Sequence, residues 1–254
     1  MYQLYEVGFS VPTRTLLQPL SATFETGQVY GLVGHNGSGK STLLKLLAKQ
    51  QTATTGELRL FDRPMGQWGA RDFAQKVAYL PQHLPAAPGL SVRDLVVMGR
   101  YAWHGLVGQY GAADWAMVDE ALAQTHTQAF ADAQVDQLSG GERQRVWLAM
   151  CLAQNTQYLL LDEPLAALDL RHQIEVMALV KHLAHSLNIG IVVVLHDINL
   201  AAQYCDHIMA LKGGSLVYQG PPKYIMQPEI LADIYGLALH LVQHPITKAW
   251  VALP

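Results

Sequence analysis

Eight consecutive residues of this 254-residue chain, Gly34-His35-Asn36-Gly37-Ser38-Gly39-Lys40-Ser41, have the spacing GxxxxGK[ST]. Glycines in such a run let the backbone curl until successive N–H groups point inward, and a helix that follows adds the positive end of its dipole. The lysine can then reach the β- and γ-phosphates of a nucleoside triphosphate, and the serine hydroxyl can reach Mg²⁺. The spacing carries that meaning only between a buried strand and a helix. Here the apolar run 29–33 precedes it and a helical pattern over 42–49 follows. The candidate nucleotide contacts are therefore Gly34, His35, Asn36, Gly37, Ser38, Gly39, Lys40, Ser41 and Thr42, with His35, at a variable position of the loop, a spectator to the chemistry.

Two adjacent carboxylates, Asp162 and Glu163, end the apolar run 158–161. Acids at the tip of a buried strand are costly unless they meet a cation or water. One of them could serve only as a helix cap, but beside a phosphate loop Asp162 is suited to Mg²⁺ and Glu163 to polarising an attacking water. His196 ends the next apolar run, 191–195, at the same carboxyl edge, where it could touch a γ-phosphate. A third segment, Leu138-Ser139-Gly140-Gly141-Glu142-Arg143-Gln144-Arg145, contains the S-x-x-E pattern that caps a helix start. Capping does not call for two glycines, which instead bare N–H groups at a helix N-terminus, a second phosphate-binding device.

The elements that position these residues follow from periodicity. The runs 29–33, 158–161 and 191–195 are continuously apolar, as parallel strands covered on both faces are, and helical patterns separate them. Over 170–187, Ile174, Met177, Val180, Ala184 and Leu187 recur at helical spacing. The segments 2–9 and 57–61, and a hairpin over 208–218 about Gly213-Gly214, are expected to be antiparallel strands flanking that core. Residues 82–157 are expected to form a helical insertion, including a helix over 114–128, and a short tail follows Pro221. The expected architecture is one α/β domain over 1–254, with 1–81 and 158–254 forming the core. A net charge of −3 offers no global attraction to nucleic acid. Cys151 and Cys205, without ligand spacing, are expected as buried thiols, and no apolar run approaches the roughly 18 residues that a membrane helix needs. His172, His182, His185, His240 and His244 show no metal-ligand pattern, so no iron site is expected.

Taken with the segment 138–145, the chain resembles the ATP-binding-cassette (ABC) family along essentially its whole length. The motifs occur in order: the phosphate loop, Gln82 in Ala-Tyr-Leu-Pro-Gln, the segment 138–145, Asp162-Glu163, Ala167-Leu168-Asp169, and His196. The resemblance implies a P-loop NTPase fold with a RecA-like core, ATP and Mg²⁺ as ligands, and a head-to-tail dimer of two copies. In that dimer Ser139, Gly140 and Gly141 of one copy would close on the ATP held by the other. It implies that Gln82 senses the nucleotide, joins Ser41 and Asp162 at Mg²⁺ and links to the insertion. Asp169 would position the facing subunit, and His196 the γ-phosphate and water. Two departures stand out: no aromatic residue occupies the usual place against adenine, leaving Phe9 or Arg14, and Pro164-Leu165-Ala166 replaces Pro-Thr-Ser.

Two functional classes compete, a transporter motor and a soluble ABC ATPase acting on DNA or ribosomes. The second needs a long coiled coil or two cassettes, and the sequence has neither. Separate permease subunits are expected, as in importers, with a periplasmic or surface substrate-binding protein acting indirectly and the chain at the cytoplasmic face of the membrane. Within importers, 99–105 (Gly-Arg-Tyr-Ala-Trp-His-Gly), 194–206, Ile234-Tyr235-Gly236 and His244-Pro245 resemble the group that imports ferric siderophores, haem and cobalamin, most of all the ferric hydroxamate systems. Tyr101, Trp103 and His104 have two readings, packing within the insertion or docking to a permease helix across 84–105.

Overall fold

The computed structural model describes residues 1–104, 109–166 and 168–254; Gly105 and Ala167, which belong to two of the motifs, lie outside the described residues. Twelve strands occur among them: β1 (Tyr2–Val11), β2 (Arg14–Phe24), β3 (Val29–Val33), β4 (Thr55–Leu60), β5 (Arg63–Pro64), β6 (Val77–Leu80), β7 (Tyr158–Leu161), β8 (Gly190–Val194), β9 (His207–Lys212), β10 (Ser215–Gly220), β11 (His240–Gln243) and β12 (Trp250–Leu253). The core sheet has the order β10-β9-β3-β8-β7-β6, and its β9-β3-β8-β7-β6 run is parallel. β3, β7 and β8 are buried at every residue, which is why their sequences do not alternate.

Alternate side chains of these strands serve two cores. Val29, Leu159, Leu161, Ile191 and Val193 join a cluster built with the helices Gly140–Ala153 and Leu170–Ser186. Tyr30, Leu32, Tyr158, Leu160, Val192 and Val194 join a second with the helix Lys40–Leu47 and the sheet β2-β1-β4-β5. The four leucines of Lys40–Leu47 are all buried there, so the helix behind the phosphate loop is clamped between two sheets.

Several expectations shift. The hairpin 208–218 does not flank the core: β9 pairs in parallel with β3, and only β10 turns antiparallel. Neither β2 nor β6 was legible. β2 contains Pro19, tolerated because β2 is an edge strand, and β6 is four residues long. In Leu170–Ser186 the buried face is Val176, Met177, Leu179, Val180, Leu183 and Ala184, while Ile174 and Leu187 are exposed. The expected helix over 114–128 runs from Ala112 to Gln124. The tail is no loose appendage: Ile225, Leu231 and Ile234 are fully buried in the first cluster. Both cysteines are buried and unpaired.

Between β6 and β7 the segment 99–104 uses most of its side chains inward. Gly99 stands so close to Met150 that a Cβ would lie 2.2 Å from the Met150 carbonyl oxygen. Trp103 donates its indole N–H to the Gln154 carbonyl at 2.8 Å. Arg100 and His104 both bond Asp114 Oδ1, at 2.9 and 2.8 Å, and Asp114 Oδ2 accepts the Gly111 N–H at 2.9 Å. Packing therefore accounts for Trp103 and His104, and Tyr101 is left outward beside the equally exposed Met98. Burial pushes the Asp114 carboxyl up, but Arg100, the Gly111 N–H and His104 together outweigh it and bring it down to about 2. A lowered acid pKa stabilises the fold above the unfolded value of 3.8 and loses that contribution as pH falls toward about 2. Asp114→Ala leaves the buried Arg100 guanidinium without its counter-ion and is expected to cost roughly 3–5 kcal/mol in denaturant unfolding at pH 7. The difference between the two proteins should shrink below pH 4.

Candidate active site

The phosphate loop takes its shape from three left-handed glycines, Gly34 (φ 134°), Gly37 (φ 77°) and Gly39 (φ 105°). Gly34 has a second reason to be glycine, since a Cβ there would fall 2.1 Å from the Leu211 carbonyl oxygen of β9. Ser38 donates its backbone N–H to the His35 carbonyl at 3.1 Å, and Gly214 of the β9-β10 turn donates to the Ser38 carbonyl at 3.1 Å. The loop is thus braced by the hairpin that closes the core sheet. Lys40 folds back over it, its Nζ donating to the carbonyls of Gly34 at 2.7 Å and His35 at 2.9 Å. Burial lowers the Lys40 pKa, against the pull of Glu163 and Asp162.

Asp162 sits beneath the loop, buried, with Oδ1 accepting Ser41 Oγ–H at 3.0 Å and Oδ2 accepting the Tyr79 hydroxyl at 3.3 Å. Tyr79 comes from β6, register partner of Leu160 in β7, and burial first, then the Asp162 charge, push its phenol up to about 12. Tyr79 went unnoticed in the sequence because a tyrosine inside a short strand carries no motif. Its signal was adjacency to Gln82 in Ala-Tyr-Leu-Pro-Gln. Glu163 follows with φ 48°, a left-handed conformation that costs a non-glycine residue about 1–3 kcal/mol and turns the chain sharply at the strand end. Its carboxylate is gripped from two sides, by Gln82 Nε2 at 2.6 Å and His196 Nε2 at 2.9 Å.

These groups line one cleft of about 440 Å³, walled by Asn36, Gly37, Gly39, Lys40, Ser41 and Thr42, by Gln82, Glu163 and His196, and by Arg14 and Leu16 of β2. Leu16 was missed in the sequence; its carbonyl lies against Gly39, where a Cβ would come within 2.9 Å. Of the two residues left for the adenine position, Arg14 lines the cleft, and Phe9 packs half-buried on the second core. A larger cleft of about 540 Å³, lined by Trp103, Glu120 and Asn188 among others, holds none of the residues expected at the nucleotide.

Other candidates stand apart from the cleft. The His35 ring meets the Tyr235 ring at 5.8 Å, and Ser38 is buried with its Oγ unpartnered. Ser139, Gly140, Gly141 and Asp169 are absent from the cleft wall. Ser139 caps the helix Gly140–Ala153 with Glu142, the backbone N–H of Ser139 meeting Glu142 Oε2 at 2.9 Å. Asp169 caps Leu170–Ser186 by accepting the His172 N–H. Among the described residues no three His, Cys, Asp or Glu side chains gather as a metal site. His172 meets Asp169 three residues earlier in the chain, and His185 meets Asp206 across space.

Chemically, the cleft is suited to a polyanion with a hard cation. Ser41 Oγ and the Asp162 carboxylate, in contact, and the Gln82 amide oxygen could supply an all-oxygen donor set of the type that Mg²⁺ takes. The loop amides and Lys40 are donors suited to phosphate oxygens, and Glu163 faces the same space.

A family model described as ABC transporter matches residues 17–166, more than half of the chain. The chain belongs to the ABC transporter family. Over 241 residues the cassette is 42% identical to the hemin import ATP-binding protein HmuV of Rhodococcus jostii, covering 95% of this chain and 82% of that one. It is 38% identical to the achromobactin transport ATP-binding protein CbrD of Dickeya dadantii, over 98% of this chain and 93% of the relative. To the petrobactin import ATP-binding protein YclP of Bacillus subtilis it is 35% identical, over 94% of each. Among solved structures it is similar to a metal-chelate type ABC transporter in an inward-facing conformation, with TM-score 0.86, 26% identity and coverage of 99% and 95%. It is also similar to the dimeric bacterial cassette MJ0796, with TM-score 0.75, 26% identity and coverage of 87% and 99%. The fold is the P-loop NTPase fold of ABC cassettes, and the cassette is an ATPase whose hydrolysis is coupled to transport across a membrane.

Proposed function

We propose that the cassette is the motor of an importer for ferric siderophores, with a ferric hydroxamate such as ferrichrome as cargo. The observation that carries the motor reading is Glu163, held between Gln82 and His196 at the mouth of a phosphate loop. Glu163 takes the proton of the attacking water, and His196 orients that water and the γ-phosphate from the neighbouring strand end. Ser41, Asp162 and Gln82 would hold Mg²⁺, which would supply charge neutralisation at the phosphates. Lys40 exchanges its two loop carbonyls for phosphate oxygens, which replaces neutral acceptors by anionic ones.

The working unit is a head-to-tail pair. Ser139 and Gly140, exposed at a helix start outside their own cleft with Gly141 buried behind them, suit the nucleotide of a second copy, with Asp169 placed between. ATP then holds the pair together, and hydrolysis releases it. The helices of 82–157 act as the insertion that carries this surface, and 84–105, with Met98 and Tyr101 outward, receives a permease helix. Through the permease the cassette lies at the cytoplasmic face of the membrane, while a substrate-binding protein on the far side delivers cargo. No helix among the described residues is long and apolar enough to cross a membrane.

Support for a siderophore comes from relatives named for achromobactin and petrobactin, and for a hydroxamate from the segments 99–105, 194–206 and 234–236. Haem is the second reading, favoured by the 42% identity to HmuV. Uptake of radiolabelled iron is measured in cells lacking this gene, complemented with the wild type or with Glu163→Gln, using ferrichrome, petrobactin and haem in parallel. Ferrichrome uptake restored by the wild type alone is expected. Restoration for haem or petrobactin alone would replace the cargo, and restoration by Glu163→Gln would refute the motor assignment.

A further inference from the structure

The starts of the helices Gly140–Ala153 and Leu170–Ser186 meet through one side chain. The ring of His172 lies flat enough on Gly141 that a Cβ built there would stand 2.6 Å from Cδ2 and 2.8 Å from Cγ, so no larger residue admits the ring at this distance. The same ring places Nδ1 2.8 Å from Asp169 Oδ1, which also accepts the His172 backbone N–H at 2.9 Å. A carboxylate can only accept, so Nδ1 carries the hydrogen. One turn further on, Glu175 accepts from Arg145 at 3.4 Å, a second tie between the two helices, and from Arg171 of its own helix at 2.9 Å. The Ser139–Glu142 capping box fixes how the first helix begins, but it says nothing about where that beginning stands relative to Asp169. The His172 ring makes that connection at the helix tips, and it does so from outside the nucleotide cleft.

We propose that His172 is a positioning residue that locks the Ser139–Gly141 turn to Asp169, so that the two motifs which one copy offers to the other move as one body. The inference rests on the head-to-tail pair proposed above. It gives Gly141, buried at the helix start, a steric duty: it is the seat for an imidazole ring.

The test uses the full chain carrying Glu163→Gln, in which the ATP-bound dimer is measured by light scattering, and the otherwise wild-type chain, in which turnover is measured. His172→Ala is expected to lower both the ATP-dependent dimer and kcat, roughly 10- to 100-fold, the scale of a misplacement of about 1 Å. ATP affinity of the monomer should be unmoved, since the ring does not line the cleft, and the unfolding midpoint should hold, since Asp169 still caps the helix through the backbone N–H of residue 172. His172→Asn, whose amide N–H₂ can still donate to Asp169, should recover most of the loss. Gly141→Ala should fail in the presence of the ring, and adding His172→Ala should restore part of what it loses, a non-additivity that contact between the two requires. Parental dimerisation and turnover in His172→Ala, equal loss in His172→Asn, or strictly additive effects would each overturn the proposal. A Glu163→Gln parent that stays monomeric with ATP would remove the head-to-tail pair itself, and this inference with it.

Discussion

Glu163→Gln should bind ATP as the wild type does, turn it over about 10²- to 10⁴-fold more slowly, the range that a positioned general base supplies, and accumulate as an ATP-bound dimer. The geometry makes this substitution unusually clean. Glu163 accepts from Gln82 on one oxygen and faces His196 on the other, and an amide oxygen can still accept from Gln82. What the variant loses is the capacity to take a proton. The left-handed backbone at φ 48° is no more strained for glutamine than for glutamate, so the fold is unaffected. Equilibrium ATP titration, steady-state phosphate release and light scattering with and without ATP read the three parts separately. Turnover within tenfold of the wild type would exclude Glu163 as the base.

Lys40→Ala should act one step earlier, on binding. A charge-assisted contact contributes about 1.5–3 kcal/mol, so its loss is expected to weaken ATP affinity at least about tenfold. The true loss should exceed that of one contact. Lys40 lines the cleft and feels the charges of Glu163 and Asp162, so without it incoming phosphates meet those carboxylates with less positive charge to offset them. Because its Nζ also satisfies the carbonyls of Gly34 and His35, the empty loop should loosen as well. Lys40→Arg separates the two effects, since it retains charge and donors while changing their shape. Unchanged affinity in Lys40→Ala by fluorescence or calorimetric titration would contradict the assignment of the loop.

The two variants dissect one cycle. Lys40→Ala should leave the cassette monomeric even with ATP, and Glu163→Gln should hold it dimeric. A double variant should behave as Lys40→Ala does, because a base has nothing to act on without bound nucleotide.

What the sequence determined by itself was local. A glycine-rich loop between an apolar run and a helix, two acids at a strand tip and S-x-x-E before a helix are contiguous signals, and each forms as read: Gly34–Ser41 wraps Lys40, Asp162 meets Ser41, and Ser139 pairs with Glu142. The buried parallel strands were equally plain, because full burial on both faces removes polar residues from the run itself. Only the tertiary structure decided relations between segments distant in the chain. It placed β9 inside the parallel sheet, made β2 an edge that tolerates Pro19, brought Arg14 and not Phe9 to the cleft, and set Tyr79 against Asp162. It also chose Met177, Val180 and Leu183 over Ile174 and Leu187 as the buried stripe of one helix, and seated His172 on Gly141. Periodicity specifies a face to within about one residue step, and neighbours that are absent from the local sequence choose the stripe within it. Contacts between side chains far apart in sequence leave no spacing to read, because packing, rather than chain order, creates them.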